Sequence, residues 1–275
     1  MVQAIKLSEL TNRKRPAGDG ANADSESDID ISSTDSENEN ENEEAGDEEI
    51  VNIDFDFFNG NIDVDFHAMK NLMRQLLGPQ ESNKVQLSAL ADLILNSPTT
   101  TIKTDGPESD PYCFLSFIDY KENRDSDWSK YLQNLDIRLK TFLKTIDSSN
   151  KKCALVASER LINMPPEVIT PLYRITLEDV QNSLGDGQHY DFYVILSRKY
   201  EVNVDADETT SDRNKKRVKS DEIEYYHEED RFFEKYSQIH FDSESRKGII
   251  STYIVINHEN LLKAINEFET EVAKW

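Results

Sequence analysis

The sequence predicts an α/β fold: a single domain with a mixed central sheet flanked by helices, over residues 50–275, preceded by a disordered acidic tail over residues 1–49. Three observations carry that expectation. From Ile50 onward, apolar residues switch repeatedly between helical and two-residue spacing, so helices and strands interleave. Two strand-like runs occur in succession before the last helical run, which admits antiparallel additions to the sheet. Residues 17–49 hold fourteen acids, no base and almost nothing apolar, so they have too little surface to bury to offset ordering entropy.

Each element has a local reason. Val51, Ile53, Phe55 and Phe57 alternate with Asn52, Asp54, Asp56 and Phe58, the period of a half-buried strand, and Asn59-Gly60 turns the chain. Asp65 is placed to cap a helix carrying Phe66, Met69, Met73, Leu76 and Leu77, closed by Gly78-Pro79. A short helix follows with Leu87, Leu90, Ala91, Ile94 and Leu95 on one side. Strands are expected over 99–103 and 112–118. Ser126 or Asp127 caps one long helix reaching from Trp128 to Ile146.

Residues 153–157 read as a short buried strand. Pro165 and Pro166 fit the first turn of the next helix, whose inward face is Val168, Ile169, Leu172, Tyr173, Leu177 and Val180. Gly185-Asp186-Gly187 ends it, and 190–197 is the next strand. A polar loop over 202–224 interrupts the domain. Phe232, Phe233 and Tyr236 then suggest a short helix, and 239–241 and 249–256 are strands. Asn257 caps a final helix with Leu261, Leu262, Ile265, Phe268 and Val272 inward. No repeat of fixed period is present.

Composition narrows the function. Against 54 Asp plus Glu stand 31 Lys plus Arg, a formal charge of −23. The first sixteen residues sum to +3 and the tail to −14, which leaves residues 50–275 at −12. So negative a body repels phosphate backbones, which argues against bulk nucleic acid as a partner. No run approaches the roughly 18 apolar residues of a membrane span, and the start lacks a signal-peptide core. Cys113 and Cys153 both lie in apolar runs and read as buried thiols of a reducing compartment rather than a disulfide. A soluble, intracellular chain is expected.

Catalytic patterns are weak. Gly185-Asp186-Gly187 is the sole Gly-x-Gly, and it follows a helix instead of opening one, so it reads as a C-terminal cap and turn. The five histidines (67, 189, 227, 240 and 258) show no metal-ligand spacing. Asp54 and Asp56 share the solvated face of their strand. Glu159 and Arg160 could pass for an active-site pair. The plainer reading has Arg160 tying down a loop while Asn163 and Pro165 start a helix; a partner contact at the sheet end is the alternative. No catalytic, cofactor-binding or metal-ligating residue is assigned, and no enzyme activity or cofactor is expected.

The tail places Ser25, Ser27, Ser32, Thr34 and Ser36 three residues before an acid, the spacing of acidophilic phosphorylation, each phosphate adding about −1.5 to −2 charges. Its carboxylates at Asp28, Asp30, Asp35, Glu37, Glu39, Glu41, Glu43 and Glu44 form a polyanion for a cationic client; the plainer reading is a solubilising bristle. Two basic clusters, Arg13-Lys14-Arg15 and Lys215-Lys216-Arg217 with Lys219, suit nuclear-import receptors or are merely solvated charge. Leu87, Leu90, Leu93 and Leu95 have the spacing of an export signal and also of an amphipathic core helix, the reading preferred here.

Several strings resemble the BCCIP family: residues 51–58, 65–70, 87–95, Asp110-Pro111-Tyr112, Pro171-Leu172-Tyr173 and 191–197. The most distinctive is Glu159-Arg160-Leu161-Ile162-Asn163-Met164-Pro165-Pro166. The resemblance implies a fold similar to the GCN-five-related acetyltransferases without their cofactor chemistry. The long acidic start fits the fungal branch. There it implies a nuclear chaperone that escorts a basic large-subunit ribosomal protein, universal protein fourteen, supports ribosome biogenesis and shuttles to the cytoplasm with nuclear transport receptors. The alternatives are an adaptor for export or cell-cycle clients, among them a phosphatidylinositol-phosphate kinase, and, less favoured, an acetyltransferase-like enzyme. Neither a membrane nor bulk nucleic acid is an expected partner.

Overall fold

The computed structural model describes residues 5–6, 50–51, 53–185, 187–202 and 222–275. Strands β1 (Ile5–Lys6) and β2 (Ile50–Val51) pair antiparallel with each other. The rest of the tail, its phosphorylation and client-contact candidates, and both basic clusters lie outside the described residues.

The main sheet has eight strands. They are β3 (Asp56–Asn59), β4 (Thr99–Lys103), β5 (Cys113–Asp119), β6 (Cys153–Arg160), β7 (Phe192–Val202), β8 (Glu222–Tyr225), β9 (Ile239–Asp242) and β10 (Ile249–Asn257). Their order is β3-β4-β5-β6-β7-β10-β9, with β8 also on β7. Only β6 and β7 pair parallel; every other neighbour is antiparallel, so the expected mixed sheet is present. Helices α1 (Ile62–Glu81), α2 (Leu87–Leu95), α3 (Asp127–Leu135) and α4 (Ile137–Asp147) pack on one face around Met69, Leu90, Trp128 and Leu143. Helices α5 (Ile169–Leu184), α6 (Asp230–Lys235) and α7 (His258–Val272) cover the other around Leu172, Phe233 and Phe268. Alternation along the strands divides the two cores: Cys153 belongs to the first and Cys113 to the second, both as free buried thiols whose ionisation burial pushes up.

Several expectations are corrected. The strand expected over 51–58 contributes only Asp56–Asn59 to the main sheet, because β4 ends at Lys103, the residue facing Asp56. Asn61, not Asp65, caps α1: its side chain accepts from the Asp63 N–H at 3.0 Å. Asp65 is instead fully buried. Gly78, at φ 73° and ψ 171°, breaks α1 before Pro79, where closure is expected. The long helix expected from Trp128 to Ile146 is two helices. Asp136 is extended (φ −146°, ψ 145°), and its carboxylate accepts from the Arg138 N–H at 2.7 Å, a local bond that competes with helix continuation.

Strand β6 runs three residues past Ala157, which places Glu159 and Arg160 in the sheet rather than in a loop. Strand β7 is longer than expected, and β8 stands where only a polar loop is expected. Asn163 is exposed and starts no helix; a 3-10 turn at Pro166–Val168, without a side-chain cap, leads into α5. Leu262 is exposed, and Ala264 fills its place on the inner face of α7. Asn257 caps α7 as expected. Leu90 is buried and Leu87, Leu93 and Leu95 pack against the core, which makes the leucine-spaced segment a core helix.

Candidate functional site

The parallel pair opens at its carboxyl end. Strand β10 takes one edge of β7 from Phe192 to Tyr200. On the other edge, β6 pairs only with Phe192–Ile195, and β8 takes over at Lys199–Val202. Strand β8 and the turn after it therefore stand between β6 and β7 where the two diverge. In open α/β sheets this crevice, outside the carboxyl ends of parallel strands, is the usual seat of a ligand. Here the chain fills it with its own residues 222–230.

The filling is ionic. The Arg160 guanidinium donates to Glu228 at 2.9 Å, to Glu229 at 3.0 Å and to the Met164 carbonyl at 3.0 Å. Arg198, from β7, donates to the Glu159 carboxylate and to the Gln75 carbonyl, and lies 4.5 Å over the Tyr226 ring. The other Glu159 oxygen is 2.9 Å from His227 Nε2 and also accepts from the Arg160 N–H. Ser197 donates to Asp230 at 2.6 Å. Glu159, Arg160, Arg198, His227, Glu229 and Asp230 are all buried.

Burial and mutual charge set their protonation. Burial, aided by the Glu229 charge, pushes Asp230 up to about 7. Burial also opposes ionisation of Glu229, but Arg160 and His227 overcome it and hold that carboxyl below its usual range. Burial would depress His227, yet its hydrogen bond to Glu159 and the charges of Glu229 and Asp230 hold it above the usual imidazole value. Among the described residues, His227 Nδ1 and Arg198 Nε have no hydrogen-bond partner.

The arrangement binds the chain to itself. Its hydroxyl, Ser197, is buried together with its Asp230 partner, and among the described residues no three His, Cys, Asp or Glu side chains are placed to hold a metal. The site thus contains Glu159 and Arg160 from the sequence-predicted string. Pro165 and Pro166 follow at its rim, while Asn163 stays outside the network. Arg198, His227, Glu229 and Asp230 were not singled out by sequence. The available signal is the pair of bases, Arg198-Lys199, running on from a strand buried on both faces, where charge demands a buried partner.

A separate cavity of about 530 Å³ lies between the end of α1, the α3–α4 junction and the β9–β10 turn. Its apolar wall includes Leu77, Leu135, Phe241 and Tyr253. Glu81 at its rim is engaged by Lys84 and Arg246 and accepts from Tyr131. It contains neither His nor Cys. Gly185, at φ 102°, is the C-cap residue of α5, so the Gly-x-Gly string begins at a helix end, as expected, while Asp186 lies outside the described residues. No helix among the described residues is long and apolar enough to cross a membrane.

Comparison with known proteins agrees with the string that builds the crevice. The family model described as BCCIP matches residues 50–233. Protein BCP1 of Candida glabrata is 68% identical over 282 residues, and Protein BCP1 of Saccharomyces cerevisiae 67% over 285, each alignment spanning the whole of both chains. Protein bcp1 of Schizosaccharomyces pombe is 40% identical over 68% of this chain and 72% of its own. The crystal structure of BCP1 from Saccharomyces cerevisiae superposes with a TM-score of 0.73 at 65% identity, covering 86% of this chain and 96% of that one. On its sequence and on its fold, the chain belongs to the BCCIP family.

Proposed function

We propose that this protein is a non-enzymatic, acidic nuclear chaperone that binds a basic large-subunit ribosomal protein, universal protein fourteen, and supports its delivery, ribosome biogenesis and export. The observation that carries this reading is the filled crevice: where a sheet of this kind would seat a small molecule, a network of paired charges closes the space. Recognition then falls to the outer surface, and the body's charge of −12 selects a cationic client. A ribosomal protein built to neutralise phosphates attracts nonspecific nucleic acid when free, and an anionic cover prevents that. The tail lengthens the reach of the field, within a Debye length of about 8–10 Å at physiological salt.

Surface-capture kinetics with the purified ribosomal protein test it. The complex weakens as salt rises, and deletion of residues 17–49 lowers the association rate more than it raises the dissociation rate. An association rate independent of salt overturns the reading. Neutralising Lys215, Lys216, Arg217 and Lys219 lowers nuclear accumulation by imaging. Purification with stoichiometric partners separates this reading from an adaptor for other clients. Acetyl-coenzyme A, tested by thermal shift, produces no stabilisation; a shift would revive the acetyltransferase-like alternative.

A further inference from the structure

We infer that the turn from Tyr226 to Asp230 is a proton-controlled latch: it closes the crevice while Asp230 holds a proton and opens locally when that proton leaves. The latch is a property of the chain alone and needs no client. A count of the buried ions shows why one proton matters. Glu159, Glu229 and Asp230 are three carboxylates set against two guanidinium groups. Arg198 is committed to Glu159, and Arg160 to Glu229 and to exposed Glu228. Asp230 is left with the Ser197 hydroxyl alone, at 2.6 Å. While His227 is neutral, the buried set carries one negative charge in excess, and a proton on Asp230 removes it.

Each element packed around Asp230 bears on that proton. Burial and the Glu229 charge favour keeping it, while His227, Ser197 on β7 and Arg160 on β6 favour the ionised form. Tyr173 of α5 and Tyr225 of β8 lie near the carboxyl, and burial pushes both phenols up, so they stay neutral. His227 faces Glu159 on β6 as well as Glu229 and Asp230. Cys113 on β5 faces Glu159, Arg160 and Glu229, and burial keeps its thiol un-ionised. From α1 only the neutral Gln75 carbonyl enters, as the second partner of Arg198.

Charge is nearly all that holds the turn. Residues 224–230 contain no aliphatic side chain. Tyr225 and Tyr226 are half-buried, with Lys199 5.1 Å from one ring centre and Arg198 4.5 Å from the other. Apolar anchors begin only afterwards, with Phe232 and Phe233 in the second core, so α6 can stay docked while the turn before it lifts. Lifting also hydrates His227 Nδ1 and Arg198 Nε, which lack partners among the described residues, and so lowers the cost of opening. Linkage fixes the sign. Asp230 holds its proton more tightly closed than open, so opening eases as pH rises from its ordinary 3.8 to about 7 and then levels off. The limit is about tenfold per pH unit. His227, also raised, extends the trend above 6.5, and Glu229 opposes it only below 4.5.

The test is amide hydrogen exchange of the full chain between about pH 5 and 7, followed by NMR. The Tyr226 amide, which donates to the Arg198 carbonyl at 2.9 Å, reports the latch. The Tyr120 amide, which donates to the Cys153 carbonyl at 2.9 Å, reports the core. Base catalysis alone quickens exchange about tenfold per pH unit, so coupled opening makes Tyr226 quicken by up to about a hundredfold per unit. Its rate ignores dilute urea, whereas Tyr120 exchanges through global unfolding and responds to urea. In Asp230→Asn the Tyr226 dependence falls to about tenfold per unit. A Tyr226 rate that tracks Tyr120 in urea, or equal pH dependence in parent and variant, overturns the latch. In about 0.5 M salt, which screens surface charge including the bases of 213–219, the parent's steep dependence persists. Its loss there assigns the effect to those bases and overturns the latch. Should Asp230→Asn not fold, the Asp230 carboxyl carbon of the parent decides: titration near neutrality supports the latch, and titration near the ordinary 3.8 overturns it.

Discussion

Two buried ionic sites in this molecule solve the same problem differently. Lys103 and Asp65, 1% and 0% exposed, form a closed pair at 2.7 Å. The ammonium also donates to the Pro107 carbonyl at 2.6 Å, and the second carboxylate oxygen accepts from the Asn61 N–H at 2.9 Å. The crevice network joins β6, β7, the 227–230 turn and the carbonyl of Gln75 on α1. Among the described residues it leaves two polar atoms without partners, and it reaches solvent through Glu228, 51% exposed. The pair is sealed and ties the start of α1 to β4. The network opens to the surface at Glu228 alone, so water reaches one edge of it. Burying charge is costly in both places, and only the complete set of partners offsets it.

The pair should break hardest. Lys103→Met leaves the Asp65 carboxylate buried without its counter-ion, and we expect a loss of about 3–5 kcal/mol in urea unfolding followed by Trp128 fluorescence. A loss below about 1 kcal/mol would show that the site is wetter than its burial states. Arg160→Met comes second, at about 2–3 kcal/mol. It orphans Glu229 and the Met164 carbonyl, but exposed Glu228 lets water reach part of the gap. The Ile162 loop should also loosen, which hydrogen exchange of the Met164 amide would register.

How far the sequence foretold these two sites follows from the range of the forces. Thr99–Lys103, α2 and the Asn257 cap were legible because propensity, periodicity and capping act within a few residues. The break at Asp136 was missed because a capping carboxylate and an apolar helical stripe coincide there, and the cap wins. Asp65 was assigned to a helix cap since its true partner, Lys103, lies 38 residues away. The sequence reads Arg160 as tying a loop by charged hydrogen bonds; the guanidinium holds the Met164 carbonyl, but the identity of Glu228 and Glu229, 68 and 69 residues on, depends on β8 entering the crevice. Nothing in a polar, charged string announces that it will be buried.

The network differs from the pair in its answer to pH. Asp230 ordinarily titrates near 3.8 and is pushed up to about 7 in the fold, so the native state favours its protonated form. Its contribution is complete below pH 4 and disappears as pH rises through about 7, at up to about 1.4 kcal/mol per pH unit. His227, also raised, acts with the same sign at higher pH, whereas Glu229, lowered, acts oppositely below its ordinary 4.5. Asp230→Asn should therefore flatten the fall of stability between pH 5 and 7 relative to the parent. Equal slopes in the two proteins would remove Asp230 from the titrating set.

The smallest effect sharpens the comparison most. Arg174 and Glu269 meet with bidentate geometry, at 3.0 and 2.6 Å, as good as that of either buried site, but their side chains are 55% and 48% exposed. Water solvates both ions before and after folding, salt screens them, and two long side chains lose rotamer freedom in one arrangement. Arg174→Met should cost less than about 1 kcal/mol, and that cost should shrink further in 0.5 M salt. The pair is a guanidinium on a glutamate instead of an ammonium on an aspartate, yet its largest difference from Lys103–Asp65 is burial. If Arg174→Met cost as much as Lys103→Met, hydrogen-bond geometry would govern ionic stability in this fold; a several-fold gap assigns it to the dry surroundings of the Asp65 carboxylate.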